Sequence, residues 1–558
     1  MKNPHPSRRS FLSQLSLVSS GSLLAPGLIT DLKKTLFLSS VEEFVQSETS
    51  YGKIKGFRTE GVNIFKGIPY AGRISGDRRF RRPAPLEPWT GVKDTLTLGA
   101  PAIQAPRRNE PAPSEDCLFL NVWTPANDNK KRPVMFYNHG GGFVIGSGGS
   151  ASQDGANLAR NFDVVVVETN HRLGLMGFLY LDQLAGAEYE GSGNNGMLDI
   201  VDGLKWVHDN IDQFGGDPNN VMIWGESGGG AKTSCLYAMP SAAPYFNKAS
   251  IESGPGVRMM DKETAHENTL QLLKEFNIAT QDWKKLLDIP AADLLAMQAK
   301  LPFVPPFQEK NNASAAGLMR RNAGGFGPVV DGKALPYHPF DPTAPAISKN
   351  KPLLVGWNED EYTFFAWERK DTESFKMDFE ALAKKLEPQY KKDTAKLIDT
   401  YRKANPSATA PDIFVSISSI TMMGLGSVEI AEKKVKQNGA PVYLYNFGYK
   451  SEVKIPGTEY AMGTPHAMDI SFKFNNESAN KASFFGGNRP EKAQASHNFA
   501  ELWTNFAKTG KPFAKDAPEW KAYNLKDRPT MRIDTKLEVI NDRFKQELSI
   551  WRELGKLS

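Results

Sequence analysis

The sequence is poor in cysteine and histidine, the residues that mark disulfide-rich and many metal-binding proteins. Only two cysteines, Cys117 and Cys235, occur among 558 residues, so a disulfide-rich scaffold is excluded. An exported protein could join them in a disulfide, but they lie in different predicted segments, and we interpret them as two inert buried thiols. The eight histidines form no close cluster with the cysteines, which argues against a metal site. After residue 39, we expect no stretch long and apolar enough to cross a bilayer.

A strong excess of charge of either sign is also missing. The formal net charge is +5, and Lys2, Arg8 and Arg9 all precede the first acidic residue, Asp31. The rest of the chain is therefore nearly balanced, which argues against binding to nucleic acid or to an anionic membrane surface. A composition of 40% hydrophobic and 23% charged residues is typical of a globular protein.

Residues 1–39 have the composition of an export signal. The stretch SRRSFLSQL carries the pair Arg8 and Arg9, and the moderately apolar run LSLVSSGSLLAPGLI follows it. This order resembles a twin-arginine signal, which implies recognition by the twin-arginine translocation machinery and a periplasmic or secreted protein. A disordered basic tail is the alternative, and no A-x-A site marks where a mature chain would begin.

Residues 40–558 read as one α/β domain, in which strands and helices alternate from about residue 42. Short apolar runs are typical of strands that are buried on both faces. These runs are 133–137, 164–168, 221–224, 353–356 and 441–447. The alternation predicts a central, mostly parallel twisted sheet that is flanked by helices.

Two further patterns complete the prediction of the fold. The segment LDIVDGLKWVHDNIDQF has apolar residues on one helical face, and a Gly-Gly-Asp-Pro turn at 215–218 precedes the next strand. The regions 261–325 and 372–438 are helix-rich and irregular. We interpret them as helical insertions on the sheet, which either form walls or a lid over a site or merely cover the core.

The stretch VMIWGESGGGAKTSCL places a serine between glycines, directly after a predicted strand. Gly225-Glu226-Ser227-Gly228-Gly229 fits the G-x-S-x-G pattern of a nucleophile elbow, whose tight turn needs small residues on both sides of the serine. A helical pattern follows, and a helix N-terminus favours developing negative charge. The alternative is a purely structural turn.

A second glycine-rich segment, NHGGGFVIG, follows the predicted strand PVMFY and begins around His139. Its three consecutive glycines leave backbone N–H groups unobstructed, as an oxyanion hole requires. Gly228, the residue after the serine, would add another N–H group. The alternative is a flexible loop without a catalytic role.

These segments and several others resemble, in their order, the type-B carboxylesterases, the carboxylesterase–cholinesterase branch of the α/β-hydrolase superfamily. The other segments are FKGIPYA, RRFRRPAPLEPW, EDCLFLNVW, NHRLGLMGF, DNIDQFGGDPNNVMIWGES and GPVVDG. The resemblance covers nearly everything after the signal. It implies the α/β-hydrolase fold, ester hydrolysis, and no need for a metal or cofactor.

The resemblance also implies a Ser–Glu–His triad with Ser227 as the nucleophile. The segment GWNEDE matches the family's acid segment and places the acid at Glu361, with Glu359 and Asp360 as neighbouring alternatives. The segment GTPHAMD places the base at His466. The order of serine, acid and histidine along the chain agrees with α/β-hydrolases.

By the same resemblance, the oxyanion hole would consist of the N–H groups of Gly141, Gly142 and Gly228. Glu226 is a poor candidate for the acid, because it adjoins the serine in a sharp turn, and would instead support the electrostatics of the site. Ser253, in IESG, resembles a serine that supports the triad from outside it.

The sequence departs from the family at three places. Gly228 stands where the family usually has alanine, which keeps the N–H group but adds backbone freedom. Ala102 stands where a cysteine would close a loop disulfide with Cys117. The segment 101–117 also lacks the tryptophan that stacks on choline in cholinesterases, so acetylcholine is a poor substrate candidate.

The expected substrate is a small ester that is uncharged and either apolar or aromatic. Side chains that would line its pocket, unless they belong to the core, are Phe143, Phe326, Phe364, Phe365 and Trp367. A specialised hydrolase of a xenobiotic or natural-product ester, carbamate or amide is the near alternative, because it uses the same triad. A non-catalytic binding protein on this fold is disfavoured, because all three triad positions are filled.

Overall fold

A computed structural model describes residues 41–301 and 325–557. The predicted export signal at 1–39 and the end of the first helical insertion lie outside these residues. The strands are β1 Glu43–Thr49, β2 Gly52–Thr59, β3 Val62–Pro69, β4 Val92–Asp94, β5 Phe119–Thr124, β6 Arg132–Asn138, β7 Val165–Thr169, β8 Gly216–Glu226, β9 Lys248–Glu252, β10 Met260–Asp261, β11 Val329–Val330, β12 Leu353–Asn358, β13 Val442–Phe447, β14 Ser451–Lys454, β15 Ala461–Gly463, β16 Pro529–Ile533 and β17 Glu538–Asn541.

The helices cover both faces of the sheet and fill the two predicted insertions. They are α1 Ala156–Phe162, α2 Gly174–Phe178, α3 Asn195–Asn210, α4 Gly228–Ala238, α5 Lys262–Glu275, α6 Ala291–Lys300, α7 Tyr362–Arg369, α8 Phe379–Tyr390, α9 Thr394–Ala404, α10 Ala410–Ser419, α11 Leu425–Lys436, α12 Met468–Lys473, α13 Lys492–Thr509 and α14 Lys545–Glu553. The helix-rich character predicted for 372–438, and for the described part of 261–325, is confirmed.

The central sheet has the order β1-β2-β3-β5-β7-β6-β8-β9-β12-β13-β16-β17, with β4 beside β2. The strands from β7 to β16 along this order pair in parallel. The pairs from β1 to β7 and the pair β16–β17 are antiparallel, whereas β4 pairs with β2 in parallel. The carboxyl ends of β8, β12 and β13 therefore meet at one edge. In open α/β sheets this is the edge at which ligands bind.

Alternation of strands and helices from residue 42 was predicted, and this is wrong for the first strands. β1, β2 and β3 form consecutive antiparallel hairpins without an intervening helix. The β2–β3 turn contains Glu60 and Gly61, both with positive φ (46° and 77°), which matches the twist that tight hairpins need. The predicted turn at 215–218 is also too long, because Gly216 already pairs with Arg132 of β6.

The core lies in two apolar layers, one on each face of the sheet. Successive residues of β6 alternate between them: Val134 and Phe136 belong to one layer, and Met135 and Tyr137 to the other. This alternation explains why the predicted strands are apolar throughout. Neither cysteine forms a disulfide, and both thiols are buried, as expected.

One expectation about apolar segments is wrong. Within the described residues, the helical stretch Ala410–Lys436 is long and apolar enough, by length and composition, to cross a membrane. It consists of α10, a π-helical turn and α11, and Thr409 caps its start by accepting a hydrogen bond from the N–H of Asp412. Most of its apolar window is buried in the protein, where α11 packs on β12 and β13.

Candidate active site

Ser227 lies at the sharp turn between β8 and α4. Its φ of 61° is unusual for a residue with a side chain and marks local backbone strain. A Cβ atom on Gly225 would lie 2.6 Å from the Asn138 carbonyl oxygen, and one on Gly229 only 2.0 Å from that atom. The turn therefore requires glycine on both sides of the serine, as the G-x-S-x-G pattern predicts.

His466 and Glu361 approach Ser227 from two other segments. Glu361 follows β12 at the start of α7, and His466 lies between β15 and α12. The His466 Nε2 atom is 2.9 Å from Ser227 Oγ, and the His466 Nδ1 atom is 2.6 Å from Glu361 Oε2. The fold thus brings together three residues that are 239 and 105 positions apart in sequence. This is the hydrogen-bonded order of a nucleophile, a base and an orienting acid.

The carboxylate of Glu361 is held from its other side. Ser253 Oγ donates a hydrogen bond of 2.5 Å to Glu361 Oε1, and the backbone N–H of Asn358 donates one of 2.8 Å to the same oxygen. Glu361 is fully buried, so these two donors fix the direction in which its other oxygen faces His466. Ser253 is therefore in direct contact with the candidate acid.

The neighbouring acids Glu359 and Asp360 face away from His466. Asp360 accepts a 2.8 Å hydrogen bond from the backbone N–H of Thr464. Glu359 forms ion pairs with three basic side chains, those of Lys450, Arg532 and Arg543. Within the part of the chain that the structure describes, Glu361 is the one of these three candidate acids that contacts the imidazole of His466.

Glu226 brings a second carboxylate to His466. Its Oε1 atom is buried, lies 3.4 Å from His466 Nε2, and has no hydrogen-bond partner among the described residues. Burial raises the pKa of Glu226 to about 8. Burial alone would lower the pKa of His466, but the charges of Glu226 and Glu361 outweigh it and raise that pKa to about 9. The two groups therefore titrate as a coupled pair.

A buried charge cluster connects to the segments of Ser227 and Glu361, and it was not predicted from the sequence. Lys473 Nζ lies 2.6 Å from Asp469 Oδ2 and also pairs with Glu252, and all three side chains are fully buried. Glu252 accepts the Ser227 N–H through its backbone oxygen at 2.9 Å. Asp469 accepts a 3.0 Å hydrogen bond from the side-chain amide of Asn358. The cluster thus connects the segments that carry the serine and the acid.

The glycine-rich loop packs directly on the start of α4. Gly141 and Gly142 have positive φ values of 83° and 64°, and a Cβ atom on Gly140 would lie 3.5 Å from the Ser227 Cβ atom. A Cβ atom on Gly228 would lie 2.3 Å from the Gly142 nitrogen. The space that the family's alanine would need at position 228 is therefore filled by the loop backbone, which explains the departure to glycine.

Lys232 of α4 holds the same loop, and sequence reasoning did not identify it. Its Nζ atom donates a 2.8 Å hydrogen bond to the carbonyl oxygen of His139 and lies 6.0 Å from the centroid of the Phe143 ring. The residue is fully buried, and burial lowers the pKa of its amine well below the usual value. A lysine in a helical pattern normally reads as a surface residue, so the sequence carries no signal of this contact.

Of the five predicted pocket side chains, three lie on one helix beside the imidazole. The ring centroids of Phe364 and Phe365 are 5.7 and 5.0 Å from that of His466, and Trp367 packs on Phe364 at 5.8 Å. Phe143 instead packs against Phe178, and Phe326 is buried in the core.

The chain is similar to known proteins of one family. Residues 43–551 match the model of the carboxylesterase family. The para-nitrobenzyl esterase of Bacillus subtilis (strain 168) is 34% identical over 501 residues, covering 88% of this chain and 96% of its own. The phenmedipham hydrolase of Pseudarthrobacter oxydans is 28% identical over 515 residues, covering 89% and 96%.

Solved structures show the same likeness. The crystal structure of a carboxylesterase from Geobacillus stearothermophilus superposes with a TM-score of 0.76 at 34% identity, covering 91% of this chain and 99% of that one. The predicted α/β-hydrolase fold is therefore confirmed. The chain belongs to the carboxylesterase family and is a type-B carboxylic-ester hydrolase.

Proposed function

We propose that this enzyme cleaves carboxylic esters through an acyl-enzyme that forms on Ser227. The observation that carries the proposal is the unbroken contact from Ser227 Oγ through both His466 nitrogens to Glu361, at 2.9 and 2.6 Å. His466 accepts the serine proton as Oγ attacks the ester carbonyl carbon. Glu361 holds the imidazole in the required tautomer and stabilises the imidazolium that forms.

The backbone N–H groups of Gly141, Gly142 and Gly228 stabilise the oxyanion in this mechanism. The close packing of the glycine-rich loop on the start of α4 supports this assignment. His466 then returns its proton to the leaving alcohol, and water, activated by the same imidazole, hydrolyses the acyl-enzyme. Loss of one such oxyanion donor raises the barrier by about 3 kcal/mol. None of these steps needs a metal or cofactor.

The substrate is an uncharged ester with an apolar or aromatic group. The rings of Phe364 and Phe365 beside His466 support this choice, since they offer apolar surface and no counter-charge. The name of the Bacillus subtilis relative, para-nitrobenzyl esterase, points to the same class. A specialised hydrolase of a xenobiotic ester, carbamate or amide is a second candidate, favoured by the relative named phenmedipham hydrolase.

Hydrolysis of p-nitrophenyl esters by purified wild type, Ser227→Ala and Ser234→Ala tests the proposal. Ser234 is a matched control because it is a buried serine on α4, and its Oγ donates to the Gly230 carbonyl instead of contacting His466. We expect Ser227→Ala to lose about 10⁴-fold or more in kcat and Ser234→Ala to retain activity. Equal activity of a folded Ser227→Ala variant and the wild type would overturn the mechanism.

We also propose that the chain is exported by the twin-arginine machinery to the periplasm or the medium. The pair Arg8 and Arg9 before a moderately apolar run supports this. In a bacterial host with that machinery, changing both arginines to lysine should leave the esterase in the cytoplasm, while the unaltered chain is recovered outside it. Unchanged export of the double variant would refute this localisation.

A further inference from the structure

A continuous row of aromatic rings leads from His466 to the protein surface. The Phe364 ring centroid lies 5.7 Å from those of both His466 and Phe485, and Phe485 lies 4.6 Å from Phe484. Trp367 closes the row from the side, 5.3 Å from Phe484. All of these separations are within the range of direct aromatic contact. Nothing in the triad chemistry uses the outer three rings.

The outer end of this row is exposed to solvent. Phe484 keeps 65% of its surface accessible, although apolar partners lie beside it. A ring held in water forgoes the stabilisation that burial would provide, so an exposed ring that continues the row from His466 is a candidate contact for a ligand.

The turn that presents Phe484 is well anchored. The backbone N–H groups of Ser483 and Gly487 donate to each other's carbonyl oxygens at 3.1 and 3.2 Å, and Gly487 has a φ of 73°. Lys492 is fully buried and donates a 2.6 Å hydrogen bond to the Gly487 carbonyl. The exposure of Phe484 is therefore a fixed property of a closed turn, so a binding surface there is preorganised.

We propose that Trp367, Phe484 and Phe485 form a subsite for the distal part of a long alkyl acyl chain of the ester. The inference rests on the function proposed above and specifies its substrate class. The ester carbonyl lies at Ser227, and the apolar tail follows the rings past Phe364 to Phe484. Short acyl chains end before they reach the outer rings, so the subsite selects esters by the length of their acyl chain.

The test compares Phe484→Ala with the control Phe513→Ala. Phe513 is a phenylalanine of similar exposure (53%), beyond the end of α13 and outside the row of rings. Both variants remove an exposed ring, so unchanged thermal unfolding would show that each is folded. The substrates are p-nitrophenyl acetate and p-nitrophenyl dodecanoate, the latter below the concentration at which it aggregates.

We expect Phe484→Ala to lower kcat/KM for the dodecanoate by about tenfold, chiefly through KM, and to leave the acetate within about twofold. Phe513→Ala should change neither value. Equal effects of Phe484→Ala on both esters, or no effect on either, would overturn the subsite. An effect that appears only with aggregated ester would overturn it in favour of binding to a lipid–water interface.

The same experiment distinguishes a wrong subsite from a wrong proposed function. If the wild type turns over both esters, and the ratio of their kcat/KM values in Phe484→Ala and in Phe513→Ala equals that of the wild type, only the subsite is wrong. If the folded wild type turns over neither ester, the proposed function itself is wrong.

Discussion

Glu226→Gln should move the acidic limb of the pH–rate profile to lower pH. In the proposed mechanism His466 acts as a base only when it is neutral, so activity should be lost as the pH falls through its pKa, which is raised to about 9. Glutamine keeps the shape of Glu226 but removes the negative charge that lies 3.4 Å from His466 Nε2. The imidazolium is then less stabilised, the pKa of His466 falls, and the neutral base persists to lower pH.

The size of this shift can be bounded from the geometry. Two unit charges at that separation interact by about 5 kcal/mol at an effective dielectric constant of 20, and one pKa unit corresponds to about 1.4 kcal/mol. The full interaction is an upper bound, because burial raises the pKa of Glu226 to about 8 and leaves it partly protonated near neutral pH. We therefore expect the acidic limb to move down by about one pH unit, which is less than the roughly 3.5 units that the full interaction would give.

The assay is kcat/KM for a soluble short-chain ester between about pH 5 and pH 10, which reports the free enzyme. Glu368→Gln, which removes an exposed carboxylate from α7, is the control and should leave the profile in place. An acidic limb that stays unchanged in a folded Glu226→Gln variant, or moves to higher pH, would refute the electrostatic coupling.

Three further outcomes are expected. Glu361→Gln should lower kcat by about 10³- to 10⁴-fold, whereas Glu359→Gln should keep kcat and lower the melting temperature, because it weakens an ion-pair cluster. The reverse pattern in steady-state kinetics would show that Glu361 is not the acid. Gly228→Ala should lower kcat by about tenfold or more with little change in KM, because the added Cβ would lie 2.3 Å from the nitrogen of Gly142 and displace the loop. A wild-type kcat in this variant would show that activity does not depend on the close packing of the loop on residue 228. Lys232→Met should lower kcat about tenfold, because the glycine-rich loop loses the hydrogen bond that holds it. The melting temperature should stay the same or rise, because the variant also removes a buried amine. An unchanged kcat would contradict the role of Lys232 in positioning the loop.

The three residues proposed as the triad could be singled out from the sequence, because each lies in a short motif with its own local requirements. The elbow around Ser227 needs glycines at fixed offsets, and the segments around Glu361 and His466 resemble family motifs. Buried parallel strands were also predictable, since their apolar runs have few other interpretations.

Other features of the site and the fold depend on contacts between distant segments, which a local sequence pattern cannot indicate. Lys232 and Lys473 are polar residues in helices, and only the tertiary structure surrounds them with acceptors. The role proposed for Phe484 depends on the position of its turn beside α7, more than a hundred residues away in sequence. The antiparallel hairpins at the start were missed because their strands are short and separated only by tight turns.

The central claim is that Ser227 is the nucleophile of an ester hydrolase. The most direct test treats wild type and Ser227→Ala with a fluorophosphonate probe and measures intact mass, followed by mapping of the modified peptide. We expect one adduct per wild-type chain, located on Ser227, with loss of ester hydrolysis, and no adduct on the variant. A folded wild type that gains no adduct, or an adduct that persists in Ser227→Ala, would contradict the account.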